Sequence, residues 1–164
     1  MPVSREPLAN GKFGLFVHLL DRYKPRVIGV LCNGRRLTNE SYSYHDVRAA
    51  LIRACEGSEE TALWLIADAV ALAKYGFGYA KPSPAPVAPL VSKGYLIKGE
   101  TLADHAAKAG IDAKGLFQIF AAYNRNAVRG NDPAFGRGTT AFNRNLADPE
   151  HQPNPCVAPL IEGP

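Results

Sequence analysis

The sequence lacks most of the features that would fix a chemistry at first sight. Its three cysteines, Cys32, Cys55 and Cys156, lie far apart with no CxxC pair. That favours free thiols in a cytoplasmic protein over a disulfide frame or a zinc site. No apolar run approaches the roughly 18 residues of a membrane-spanning helix, so no membrane span is expected. The opening MPVSREPLANGK has none of the charged-then-apolar layout of a signal peptide. No G-x-G-x-x-G follows a strand. The nearest approach, GFGYAK at 76–81, misses the third glycine and the helix, and with them the cradle for dinucleotide phosphates. P-loop, H-E-x-x-H and G-x-S-x-G patterns are missing too. The four histidines, His18, His45, His105 and His151, have no metal-like spacing, and His105 is expected to be solvated in a polar helix.

What is present is an ordinary globular composition, 46% hydrophobic and 21% charged over 164 residues. This is enough for one domain with a core, not for two. The net charge of +4 invites a nucleic-acid reading, but only Arg35 and Arg36 are adjacent and no basic stripe interleaves with aromatics. No nucleic-acid partner is therefore expected.

Periodicity predicts an α+β fold: a small mixed domain of short strands, including a hairpin, with segregated helices. The segment 14–23 is ambiguous between strand and helix. Val27, Ile28, Val30 and Leu31 read as a strand, Asn33-Gly34 as a two-residue turn and Arg35 to Thr38 as the returning strand. Ser43 with Asp46 predicts a capping box opening a helix along Val47, Ala50, Leu51, Ala54 and Cys55, stopped at Gly57. ALWLIAD (62–68) reads as a buried strand whose Asp68 caps a short helix closed by Gly76. Four prolines in 76–94 predict an extended crossing without regular helix. YLIKGE (95–100) reads as a strand. Thr101 and Asp112 should cap two further helices, the first ended by Gly110, the second with Leu116, Phe120, Tyr123 and Ala127 on one face. From Gly130 onward the chain is expected to be irregular and without a core of its own.

Within this frame the stretch NESYSYHD (39–46) gathers phenols, an imidazole and carboxylates at a helix start. The unpaired N–H groups of a first turn make that position electropositive. This favours an ionised phenol at Tyr44, although composition alone reads the residue as a ring packed in place with its hydroxyl at the surface.

RVIGVLCNGRRLTNESYSYHDVRAAL resembles the hairpin and helix of flavoproteins of the fumarate reductase/succinate dehydrogenase superfamily, whose usual pattern is N-x-x-G-x-R-F-x-N-E. Gly34, Arg36, Asn39 and Glu40 match, and Leu37 replaces the habitual Phe. The second half, from GYLIKGETLADHAAKAGID through FGRGTTAFNRNLADPEHQPNPCVAPLIEGP, is similar to 3-ketosteroid dehydrogenases, and the likeness covers roughly residues 12–164. It implies that 1–164 is a single substrate-capping (catalytic) domain excised from a larger FAD-dependent enzyme. The FAD-binding domain would be absent, and 130–164, ending at Gly163-Pro164, would lead back toward it. It implies FAD in the intact parent and none bound by this fragment alone. The expected partners are the FAD-binding domain of the same chain and a hydrophobic, steroid-like ketone, with self-association through the exposed cap surface as a further expectation. The implied activity is desaturation of a ketosteroid-like substrate next to its carbonyl, with the isolated chain inactive. The resemblance places the proton-abstracting tyrosine at Tyr44, where fumarate reductases have an arginine. His18, Asn39, Glu40 and His45 are substrate-contacting or supporting residues by the same likeness. Two other readings stay open: a cap of a fumarate reductase-like double-bond reductase, and a non-catalytic binding module of cap-like fold.

Overall fold

The computed structural model describes residues 3–8 and 10–161. The expected return toward an FAD domain at Gly163-Pro164 lies outside the described residues. There are two small antiparallel sheets, one packed into the helical core and the other a largely exposed hairpin. Strands β1 (Val3–Pro7) and β2 (Phe13–Val17) form one hairpin. A 3-10 turn (Asp21–Tyr23) follows, and then β3 (Val27–Val30), which pairs antiparallel with β4 (Trp64–Ala67). The helices are α1 (Tyr44–Ala54), α2 (Ala69–Tyr75), α3 (Ala88–Ser92), α4 (Leu102–Ala109), α5 (Ala113–Ala127) and α6 (Ala141–Asn145).

The caps form where the sequence predicts them. Ser43 Oγ accepts the Asp46 N–H at 3.2 Å and donates to the Asp46 carboxylate at 2.7 Å. Asp68, Thr101 and Asp112 accept first-turn N–H groups of α2, α4 and α5. Gly110 ends α4 in the left-handed conformation, φ +67°. The predicted face of α5 is the centre of the core: Leu116, Phe120, Tyr123 and Ala127 are buried with Ile28, Val30, Ala106 and Val157.

Five expectations need correction. The hairpin at 27–38 shrinks to a turn and a single bridge, Val30 to Arg36, because β3 takes β4 as its partner and the Arg36 side chain turns inward to carboxylates. YLIKGE is not a strand, since the Tyr95 and Leu96 N–H groups bond back to the Leu90 carbonyl. The proline-rich segment does contain a helix, α3, with proline in its first turn, where no N–H partner is lost. α1 ends at the Cys55 cap before Gly57, and of its expected stripe only Val47 is fully buried. The segment after Gly130 is largely irregular, yet Ala147, Cys156, Val157 and Leu160 belong to the main core.

Candidate active site

The residues around NESYSYHD divide into a buried frame and an exposed edge. The frame centres on Glu40, 2% exposed. Its carboxylate accepts from Arg36 Nε at 2.8 Å and Nη2 at 2.6 Å, from the Gly29 N–H at 3.0 Å and from Arg137 Nη1 at 3.4 Å. The other side of the Arg36 guanidinium is taken bidentately by Asp132, at 3.0 and 2.9 Å. The rings of Tyr123 and Phe135 each lie 5.0 Å from the same guanidinium. Burial alone would push the Glu40 carboxyl up, but Arg36 and Arg137 outweigh it and hold the group below the usual carboxylate range. Arg36 is shifted upward by Glu40 and Asp132 despite its own desolvation.

Arg137, fully buried, fastens this frame to the first third of the chain. It donates to the carbonyls of Arg22 at 2.9 Å, of Lys24 at 2.8 Å and of Val27, and to Ser41 Oγ at 3.0 Å. Arg22, with no carboxylate partner among the described residues, binds carbonyls instead: His18 at 3.1 Å, Glu40, and Tyr42 at 2.6 Å. Its own burial lowers its pKa. Asn39 is fixed by Asn143 at 3.1 Å and orders the turn by accepting the Ser41 N–H at 2.8 Å. Asn39 and Glu40 are thus both turned into the protein interior as parts of a scaffold.

Tyr44 begins α1, half-buried, with its ring stacked on His45 at 4.0 Å between centroids. Its hydroxyl makes no hydrogen bond among the described residues, and His45 is exposed. Tyr42 and Phe142, both exposed, lie nearby through Tyr23: the Tyr23 hydroxyl donates to the Tyr42 carbonyl at 3.0 Å, and its ring is 6.4 Å from that of Phe142. The start of α1 therefore presents aromatic surface. His18 stands apart from Tyr44, 7% exposed, between Asp21 at 2.6 Å and Ser4 at 2.9 Å. His105 is half-buried rather than solvated, and desolvation lowers its pKa. A cavity of about 1410 Å³, lined by Leu51, Leu63, Ile66, Leu72, Val91 and Phe120 among others, opens beside β4, and His18 and His105 line it while Tyr44 does not.

The sequence offered weak signals for the residues it did not single out. Arg22 sits in DRY, which starts four residues after the end of β2, Asp21 is at helical spacing from His18, and Arg137 lies in the FGRG stretch that carried part of the resemblance. Nothing local marks a charged residue in an irregular segment as buried.

The fold combines helices with two small sheets around a buried, charged frame. The family model described as "FAD binding domain" matches residues 1–163, and the chain belongs to that family. It is 45% identical to 4-oxocyclohex-2-ene-1-carboxylate 5-dehydrogenase of Sinomonas cyclohexanicum over 99% of this chain and 28% of that protein. It is 29% identical to 3-oxosteroid 1-dehydrogenase of Mycolicibacterium smegmatis over 89% of this chain and 26% of that protein. The crystal structure of 3-ketosteroid delta1-dehydrogenase from Sterolibacterium denitrificans in complex with 1,4-androstadiene-3,17-dione superposes with a TM-score of 0.83 at 28% identity. That match covers 99% of this chain and 29% of the enzyme. The chain thus spans little more than a quarter of the length of the relatives it matches. Neither the geometry nor these relatives supports self-association.

The residues present do not fit the phosphates of FAD. The N-cap side chains of α1, α2, α4, α5 and α6 each accept a first-turn N–H themselves, and α3 opens with proline. Among the described residues no glycine-rich turn leads into a helix to receive a pyrophosphate. No helix is long and apolar enough to cross a membrane, and no cluster of metal-ligating side chains occurs among the described residues.

Proposed function

We propose that this chain is the substrate-capping domain of an FAD-dependent dehydrogenase that desaturates a cyclic, steroid-like ketone next to its carbonyl. Tyr44 is its proton-accepting group. The observation that carries the reading is the pairing of an unengaged Tyr44 hydroxyl at a helix start with a rigid frame directly behind it. Arg22 holds the Tyr42 carbonyl and Asn39 the Ser41 N–H, so the two residues before the Ser43 cap cannot drift. A carbonyl acidifies the neighbouring C–H, and a phenol positioned on that hydrogen removes it once water is excluded. The aromatic edge of Tyr42 and Phe142 suits an apolar ring system and a covering domain. His45, stacked on the Tyr44 ring, restricts its rotation and is a supporting residue. Asn39 and Glu40 support the loop without touching substrate. The FAD, and the residues that hold it, belong to the remainder of the parent, and the fragment alone is inactive and flavin-free.

The test is steady-state turnover of the full-length parent with an artificial electron acceptor and a panel of cyclic ketones. Tyr44→Phe keeps the ring and removes the proton acceptor. It should lower turnover by roughly 10²–10⁴-fold with unchanged flavin content, and His45→Ala should cost less. Near-normal turnover of Tyr44→Phe on the best ketone would show that Tyr44 is not the base.

A further inference from the structure

Helix α1 carries a guanidinium on the same side as Tyr44, and nothing in the reading above uses it. Residues three and four apart are neighbours on a helix surface. Arg48 therefore lies one turn along from Tyr44 and also adjoins His45, whose ring is stacked on that of Tyr44. The same stripe continues through Leu51, Ile52 and Cys55, and these three line the large cavity together with Arg48. Arg48 thus stands where the phenol end of the helix meets an apolar wall. Its side chain is exposed and makes no hydrogen bond or ion pair among the described residues.

The arginines of the interior are all committed: Arg22 and Arg137 hold carbonyls, and Arg36 holds two carboxylates. Other exposed arginines are as free as Arg48, so freedom alone marks nothing. Its placement does. The four positions that a helix brings beside it hold Tyr44, His45, Leu51 and Ile52, none of them acidic. Asp46 is two residues away and so on the far side of α1, where its carboxylate accepts from Ser43 Oγ at 2.7 Å. Arg53, the other arginine of α1, is on that far side too, lining a small pocket with Asp46 and Tyr42. Arg48 is thus the α1 cation that shares a face with the phenol. One helical turn is about 5.4 Å, so the two long side chains can reach groups on opposite sides of a single six-membered ring.

We propose that Arg48 anchors a carboxylate on the ketone, so that the substrate is a cyclic keto acid with its carboxylate across the ring from its carbonyl. This rests on the dehydrogenase reading of Tyr44. The guanidinium fork matches a carboxylate with two parallel N–H···O bonds, which fixes orientation as well as position. Leu51 and Ile52, next along the stripe, offer apolar surface to the ring. Arg48 takes no part in proton transfer; it decides which ketone is held with its acidic C–H at Tyr44. In water such an exposed ion pair is worth little. A domain covering this face removes the water and strengthens it. A neutral ketone of the same shape leaves the covered guanidinium unpaired and is selected against.

The experiment uses the full-length parent with its flavin and two probes of one shape, 4-oxocyclohexanecarboxylate and its primary amide. Calorimetry gives their dissociation constants, and turnover with an artificial electron acceptor gives kcat and KM. Wild type should bind the acid at least about 10-fold more tightly than the amide, the worth of a hydrogen bond to a charged group. Arg48→Ala should erase that preference and raise KM for the acid with little change in kcat, because the anchor acts equally in the ground and transition states. Arg48→Lys keeps the charge and loses the fork, and should fall between the two. Added salt should raise KM for the acid in wild type more than in Arg48→Ala. The proposal is overturned if wild type shows no preference, if Arg48→Ala retains it, or if the variant weakens acid and amide alike, as a merely structural role would. Desaturation of neutral ketones without preference for the acid would sink the Arg48 assignment alone. Acid-selective binding that Arg48→Ala abolishes, in a parent that desaturates no ketone, would sink the dehydrogenase reading alone.

Discussion

Some buried side chains in this molecule serve charge pairing and others packing, and their variants separate the two. Glu40 faces two guanidinium groups inside the protein. Glu40→Gln leaves Arg36 with Asp132 but strips a buried charge from Arg137. A loss of about 3–5 kcal/mol is expected, as for breaking one partner of a buried pair, measured by urea unfolding of the chain. Tyr123 makes the opposite case. Its hydroxyl is buried without a hydrogen-bond partner among the described residues, and burial pushes its pKa up to about 12. Tyr123→Phe removes an unsatisfied group and retains the ring against Arg36, so stability should be unchanged or up to about 1 kcal/mol higher. A loss above that amount would reveal a partner for the hydroxyl. Asp148 gives the pH dependence. Partial burial acts to raise its pKa, yet hydrogen bonds from Lys74 and Tyr75, both at 2.6 Å, bring it down to about 2. A depressed carboxylate contributes stability above its unfolded pKa of about 3.9 and loses it as pH falls through the folded value. The window is therefore pH 4 to 2. The contribution is on the order of 1–2 kcal/mol once the exposed Lys74 is discounted for screening. Acid unfolding of Asp148→Asn should be flatter across that window than that of the native chain.

At the scale of elements, what was legible in the sequence was whatever is decided within a turn of chain. Ser43, Asp68, Thr101 and Asp112 mark helix starts because a cap needs only its own side chain and an N–H two or three residues on. Gly110 marks a stop for the same local reason. Strand partners are decided elsewhere. A turn does form, but its central residues are Cys32 and Asn33, with the Gly34 N–H on the Leu31 carbonyl and Gly34 following at φ +73°, and a turn does not oblige the following residues to pair. Arg36 found two carboxylates, one of them far along the chain, and β3 found β4. Gly34 also lies so close to α5 that a Cβ would come within 2.3 Å of the Leu116 nitrogen. Gly34→Ala should therefore both strain the turn and push α5 away, at a cost above the ~1 kcal/mol of a backbone effect alone. Thermal unfolding of the variant checks this. Ser43→Ala should cost about 1 kcal/mol and, in the parent, impair turnover through the position of Tyr44 more than it impairs folding.

Across the whole molecule the candidate site was legible only in part. Tyr44 and His45 emerged from local spacing and resemblance, and the buried duties of Asn39 and Glu40 depended on residues about a hundred positions away. The Ser4–His18–Tyr95 contacts could not be read at all, because three separate elements must fold before those side chains meet. Arg137 carries this furthest. It joins the carbonyls of residues 22, 24 and 27 across separations of 115, 113 and 110 residues. Such closures must await synthesis and collapse of nearly the entire chain. Folding should accordingly be limited by topology, in milliseconds to seconds rather than the microseconds of helical bundles of similar length. An emerging chain that has made β1 through α5 would leave the core open where Ala147, Cys156, Val157 and Leu160 close it, a period during which a chaperone has reason to bind.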